Sequence, residues 1–115
     1  MSYKIYHNPR CSKSRETLSI LKENGIEAEI VEYLKTTPTG SELKTLLNQL
    51  NLKAVDLLRK GESVYKQNYK GKDLSNDEWI QAMVEHPKLI ERPIVVKGNK
   101  AILGRPPQKV LELIN

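Results

Sequence analysis

The chain of 115 residues contains one cysteine, one tryptophan and no phenylalanine. A single cysteine cannot form an internal disulfide, and the two histidines, His7 and His86, are too far apart for a zinc-site spacing. No apolar run approaches the roughly 18 residues that a membrane-spanning helix needs. The first residues lead directly into a strand pattern, without the apolar region of a secretory signal. We therefore expect a cytoplasmic protein with no metal, no bound cofactor and no membrane partner.

Negative charge is in the minority, because 19 Lys and Arg face 14 Asp and Glu and give a net charge of +5. The lysines are scattered, and no basic run is interleaved with aromatic side chains. Such a distribution argues against nucleic acid as a partner. It leaves two interpretations open, which are a solvated basic surface and a site for a small anionic ligand.

The first third of the chain has the pattern of a βαβ unit. Residues 3–7 alternate as in a strand, helical spacing follows Cys11 and stops at Asn24-Gly25, and β-branched residues return over 27–33. Two strands joined by a helix within about thirty residues are typically parallel, with a right-handed crossover.

The middle of the chain is helical in pattern. Thr39 and Ser75 each begin a capping box, and helical pieces are predicted after Thr39, over 54–60, irregularly over 62–72, and from Ser75 to a stop before Pro87. This block is predicted as an insertion at about 40–90 within one domain, 1–115.

The last third returns to strands. Residues 93–97 and 100–103 flank a Gly98-Asn99 turn and predict an antiparallel hairpin, and a final helix is predicted with Val110, Leu111 and Ile114 as its apolar residues. The order β-α-β, helices, β-β-α predicts an α/β fold of thioredoxin-like outline with a four-stranded mixed sheet.

Cys11 is the candidate nucleophile. A lone cysteine is commonly a small buried hydrophobic residue, but this one begins a helix and is flanked by Arg10, Lys13 and Arg15. The positive helix end and these cations favour the thiolate, which is the reactive form. Cys11 and Ser14 have the spacing of a Cys-x-x-Cys motif with serine in second place, so any mixed disulfide must be reduced by an external thiol.

Three arginines are candidates for binding an oxyanion. Arg59 follows a helical pattern, Arg92 precedes a proline at a strand start, and Arg105 lies in a Gly-Arg-Pro-Pro turn. Guanidinium groups bind tetrahedral oxyanions through paired hydrogen bonds, although each arginine alone also fits a surface cation. A phosphatase-type loop is excluded, because it needs arginine at position 17, which is Thr17.

Several short motifs, in order along nearly the whole chain, resemble the glutaredoxin-dependent arsenate reductase family. They are His7-Asn8-Pro9-x-Cys11 with Ser14-Arg15, Leu57-Leu58-Arg59-Lys60, His86-Pro87, Glu91-Arg92-Pro93-Ile94-Val95-Val96 and Gly104-Arg105-Pro106. The resemblance implies a thioredoxin-like fold, a cis peptide bond before Pro93, and an oxidoreductase of arsenic detoxification.

The resemblance also implies residue roles. Cys11 attacks arsenate, while His7, Ser14 and Arg15 support its thiolate. Arg59, Arg92 and Arg105 hold the oxyanion. Glutathione is the co-substrate that releases arsenite, and glutaredoxin reduces the mixed disulfide left on the enzyme.

One alternative is not an arsenate reductase. Thiol-sensing transcription regulators resembling Spx have the same fold and bind RNA polymerase. They typically carry a second cysteine where Ser14 stands and lack the Gly-Arg-Pro-Pro turn, so Ser14 and Arg105 favour the reductase. A thiol reductase of this fold with another substrate is the remaining alternative.

Overall fold

The computed structural model describes residues 2–114, which divide into two compact units. Residues 2–36 and 92–114 belong to the first unit, and residues 37–91 to the second. The second unit is the segment predicted as a helical insertion at about 40–90. That the units make up one domain stays a prediction.

The first unit contains a four-stranded mixed sheet, as predicted. Its strands are β1 (Tyr3–His7), β2 (Ala28–Glu32), β3 (Ile94–Lys97) and β4 (Lys100–Leu103). Their order across the sheet is β2-β1-β3-β4, with β1 and β2 parallel and β3 antiparallel to both of its neighbours. The predicted α/β class, parallel βαβ unit and hairpin are therefore confirmed.

Helix α1 (Ser12–Glu23) begins immediately after Cys11. Its buried residues, Ser14, Thr17 and Leu21, recur at the spacing of one helix face. The helix stops where Gly25 takes a φ of 73°, a left-handed conformation that glycine adopts without steric cost.

One buried hydrophobic cluster of the first unit joins strands of the sheet to helices. It consists of Ile5, Leu21, Val95, Val110 and Leu113. The predicted apolar set of the last helix was wrong at one position, because Leu113 is buried while Leu111 is 36% exposed. A 3-10 turn at Pro107–Lys109 precedes α5 (Val110–Ile114). The buried residues of α5 are Val110 and Leu113, which lie three positions apart.

The second unit is helical. It contains α2 (Gly40–Leu50), α3 (Ser63–Asn68) and α4 (Asn76–Glu85), with 3-10 turns at Ala54–Leu57 and Pro87–Leu89. Both predicted capping boxes are present at the starts of α2 and α4. Within residues 2–114, the structure contains no helix long and apolar enough to cross a membrane.

The helix predicted over 54–60 was wrong in its second half. Only Ala54–Leu57 is helical, as a 3-10 turn. Leu58 instead forms an antiparallel bridge with Ile90, and the N–H of Arg59 donates to the carbonyl of Leu89 at 2.8 Å. Pairing with a distant extended segment has replaced the local helical bonds of these residues.

Candidate active site

Cys11 is the N-cap residue of α1. Its backbone is extended (φ −93°, ψ 122°), and its N–H donates to the carbonyl of Asn8 at 3.0 Å, which closes the turn after β1. The Cys11 side chain makes no capping hydrogen bond to the first turn of α1. The half-buried Cys11 side chain therefore lies at a helix end whose dipole favours negative charge, whether a thiolate or a bound anion.

Ser14 ties this turn to the end of β1. Its fully buried hydroxyl lies 2.6 Å from Nδ1 of His7 and accepts a hydrogen bond from the N–H of Asn8 at 3.1 Å. Burial is the main cause that lowers the pKa of His7 below its usual 6.5, with Glu32 opposing the shift and Arg15 adding to it. The lowered pKa favours the neutral form of the His7 imidazole. The Ser14 hydroxyl is thus held between this imidazole and the backbone N–H of Asn8.

The charges predicted beside Cys11 lie at the surface. Arg10, Lys13 and Arg15 are all exposed. The guanidinium of Arg15 folds back to donate to the carbonyl of Pro9 at 3.0 Å. Arg15 thus keeps its positive charge next to the turn that carries Cys11.

The sheet register brings the two proline turns to the same end of the sheet. Tyr6 pairs with Ile94, and Ile94 pairs with Leu103. One step further in this register lie His7, Pro93 and Gly104, and the N–H of Gly104 donates to the carbonyl of Pro93 at 2.9 Å. These three residues form a row across the end of β1, which is the end that continues into the Cys11 turn.

Arg92 and Arg105 flank this row. Nη1 of Arg105 donates to the carbonyl of Arg92 at 3.3 Å, and the Arg92-Pro93 peptide bond is cis. The Arg105-Pro106 bond is cis as well, which was not predicted from the sequence. Nε and Nη1 of Arg92 are buried and make no hydrogen bond among the described residues, although Arg92 has other interactions.

Arg59 belongs to the second unit and lies between two carboxylates. Its Nη1 is 2.8 Å from Oε2 of Glu62, and its Nε is 3.5 Å from Oε1 of Glu91. All three side chains are about one quarter exposed. An anion that binds this guanidinium has to compete with both carboxylates.

Two residues of the site region were not singled out as functional from the sequence. Thr17 is completely buried in α1, and Gly104 packs directly against it. Gly104 stands in the Gly-Arg-Pro motif, which is a usable signal, whereas nothing in the sequence marks Thr17. In residues 2–114, the structure has no group of three His, Cys, Asp or Glu side chains that could hold a metal ion.

The chain is similar to known proteins along almost its whole length. A sequence model of the ArsC family matches residues 6–113. An arsenate reductase of Neisseria meningitidis is 48% identical over 109 residues, 93% of each chain, and an uncharacterized Escherichia coli protein, YfgD, is 54% identical over 113 residues, covering 96% of this chain and 95% of its own. The structure of an arsenate reductase from Vibrio cholerae superposes with a TM-score of 0.93 at 52% identity, covering 97% of each chain. The chain therefore belongs to the ArsC family.

Proposed function

We propose that this protein is an arsenate reductase that uses Cys11 as its nucleophile. One observation carries the proposal: the Cys11 turn, at the start of α1, shares its end of the sheet with the turns of Arg92 and Arg105. The names of the Neisseria and Vibrio relatives support the choice of arsenate.

Binding of the oxyanion falls to the arginines. Guanidinium groups form paired hydrogen bonds with tetrahedral oxyanions and stay charged at every physiological pH. The guanidinium of Arg105 donates to the main-chain carbonyl of Arg92, so an anion held by Arg105 lies next to the turn that carries Arg92. The same role for Arg59 is carried over from the family resemblance.

The first chemical step forms a bond between sulfur and arsenic. The Cys11 thiolate attacks arsenic, and one arsenate oxygen leaves as water after taking up protons. Arsenic remains at oxidation state five in this adduct. The helix start and the neighbouring cations stabilise the anionic forms of both the thiol and the substrate.

The second step transfers two electrons. The thiolate of glutathione attacks the Cys11 sulfur, the sulfur–arsenic bond breaks, and its electron pair remains on arsenic, which leaves as arsenite. The two sulfurs, one from each thiol, are joined in a mixed disulfide. Since Cys11 is the only cysteine of the chain, an external thiol has to release it, and we assign that role to glutaredoxin. A reducing compartment such as the cytoplasm supplies both thiols.

A coupled assay tests this function. Arsenate, glutathione, glutaredoxin, glutathione reductase and NADPH are combined with the protein, and NADPH oxidation is followed. We expect arsenate-dependent turnover that is lost in Cys11→Ser, because serine is a far weaker nucleophile at neutral pH. Absence of turnover in a wild-type protein whose Cys11 still reacts with iodoacetamide would leave a thiol role but contradict arsenate reduction.

A further inference from the structure

We propose that the contact between Gly104 and Thr17 is a positioning element that sets where the Arg105 turn lies against α1. This inference rests on the proposed oxyanion site, since Arg105 directly follows Gly104. Neither Gly104 nor Thr17 is assigned a chemical step. Their role is to hold the arginine turn at the distance from the Cys11 helix at which an oxyanion is bound.

The evidence is the space around Gly104. A Cβ atom built on this glycine would lie 2.7 Å from Oγ1 of Thr17, 2.9 Å from Cγ of Pro93 and 3.2 Å from Cγ2 of Thr17. The φ of Gly104 is not in the left-handed region, in contrast to Gly25 and Gly71. Glycine is needed here for close approach rather than for its backbone angle.

The neighbours of Gly104 cannot give way easily. Thr17 is completely buried, and its hydroxyl donates to the carbonyl of Lys13 at 2.9 Å, so turning the side chain breaks that bond. The ring of Pro93 is rigid, and the Pro93 carbonyl accepts the N–H of Gly104. A side chain at position 104 therefore has to move the backbone of its own turn.

Movement of that turn reaches both arginines. Arg105 is the next residue, and its guanidinium donates to the carbonyl of Arg92. On the other side of the contact, Thr17 is tied through Lys13 to the first turn of the helix that Cys11 begins. The Gly104–Thr17 contact thus packs α1, the helix that follows Cys11, directly against the turn that carries Arg105.

The test begins with Gly104→Ala. We expect its KM for arsenate to rise roughly tenfold or more, since misplacement of a binding group by about 1 Å has effects of this order. The rate of Cys11 alkylation by neutral iodoacetamide should change by less than about twofold, because the nucleophile itself is untouched. The matched control is Gly40→Ala, whose Cβ meets only Cγ2 of Ile80 at an ordinary 3.7 Å. Unchanged arsenate KM in a folded Gly104→Ala protein overturns the inference.

A rescue variant separates positioning from general damage. Thr17→Ala removes both threonine atoms that a Cβ at position 104 would strike but leaves Cγ of Pro93 at 2.9 Å. The double variant Thr17→Ala/Gly104→Ala should therefore have a KM for arsenate about threefold lower than that of Gly104→Ala, yet still above that of wild type. If Gly104→Ala does not fold, the double variant should still fold and should bind arsenate better than background. A double variant no better than Gly104→Ala, or itself unfolded, overturns the inference.

A readout independent of arsenate separates this inference from the proposed function. The double-mutant cycle is repeated on urea unfolding midpoints, where we expect Gly104→Ala to be less destabilising in the Thr17→Ala background than in wild type. If the wild-type protein binds no arsenate, the proposed function is wrong. The double-mutant cycle then still shows whether Thr17 and Gly104 constrain each other. Additive midpoint shifts would show that Thr17 and Gly104 do not constrain each other.

Discussion

Ser14 illustrates what the sequence predicts at the scale of a single residue. The family resemblance implies that Ser14 supports the thiolate, and that role stays a prediction. What the structure adds is its partners, Nδ1 of His7 and the N–H of Asn8. These bonds could not be predicted, because they depend on how the turn between β1 and α1 folds back on the strand.

His7 makes protein stability depend on pH. The pKa of the folded-state imidazole is below 6.5, chiefly through burial, while the unfolded chain has the ordinary value. Between these two pKa values the unfolded state binds a proton that the folded state does not. The free energy of unfolding therefore falls as the pH drops below about 6.5, and it is unaffected by this residue at higher pH.

The prediction is tested by urea unfolding at pH 7.5 and pH 5. Wild type should lose more of its unfolding free energy on acidification than His7→Gln, which keeps a polar side chain without a titratable group. Equal losses in the two proteins would show that His7 is not held neutral by the fold. The comparison between proteins cancels the carboxyl groups that titrate in the same range.

At the scale of elements, local pattern and long-range pairing compete. The segment after Ala54 has good helix formers, and on local grounds a helix to Lys60 is reasonable. The bridge between Leu58 and Ile90 overrides it, and these residues are far apart in sequence. Capping boxes were predictable because all their bonds lie within four residues, whereas the bridge was not.

The segment that pairs with Ile90 also carries Arg59, whose predicted role in binding the oxyanion can be tested. If Arg59 holds the oxyanion, as the family resemblance implies, arsenate has to displace the carboxylates of Glu62 and Glu91. We expect Glu62→Gln to lower the KM for arsenate by roughly twofold to fivefold, the size expected for removing one partly exposed competing charge. Glu85→Gln, an equal change of charge at an exposed site on α4, is the control and should leave KM unchanged. Equal KM values in wild type and Glu62→Gln would argue against this role.

At the scale of the whole molecule, the net charge of +5 gives the surface a positive field. The exposed cations beside Cys11 are Arg10, Lys13 and Arg15, so an anion should be attracted to the thiol. Added salt should shorten the range of this attraction. The Debye length is about 30 Å at 0.01 M salt and about 10 Å at 0.1 M.

Alkylation of Cys11 measures this attraction. Between 0.01 M and 0.5 M salt, the rate with anionic iodoacetate should fall several-fold relative to the rate with neutral iodoacetamide. A double variant, Arg10→Gln/Lys13→Gln, should show a weaker dependence. If the two reagents respond to salt in parallel, the exposed cations do not steer anions to Cys11.

The fold of the first unit could be predicted largely from the chain because its signals are local. Strand alternation, the helix stop at Gly25 and the Gly98-Asn99 turn each act over a few residues. The close approach of Gly104 to Thr17 could not, since it joins residues 87 positions apart. The same holds for the candidate site. Its residues were predicted from residue type and motif, whereas their placement next to one another follows from the register of the sheet.

In the proposed mechanism, each arsenate is reduced to arsenite through an adduct on the Cys11 sulfur. A single turnover without glutaredoxin tests it most directly: the protein is mixed with arsenate and glutathione, and intact mass and arsenite are measured together. We predict one glutathione disulfide on Cys11 for each arsenite formed, with neither product when arsenate is omitted or Cys11 is replaced by serine. Glutathionylation that proceeds equally without arsenate, or arsenite formed by Cys11→Ser, would contradict the proposed mechanism.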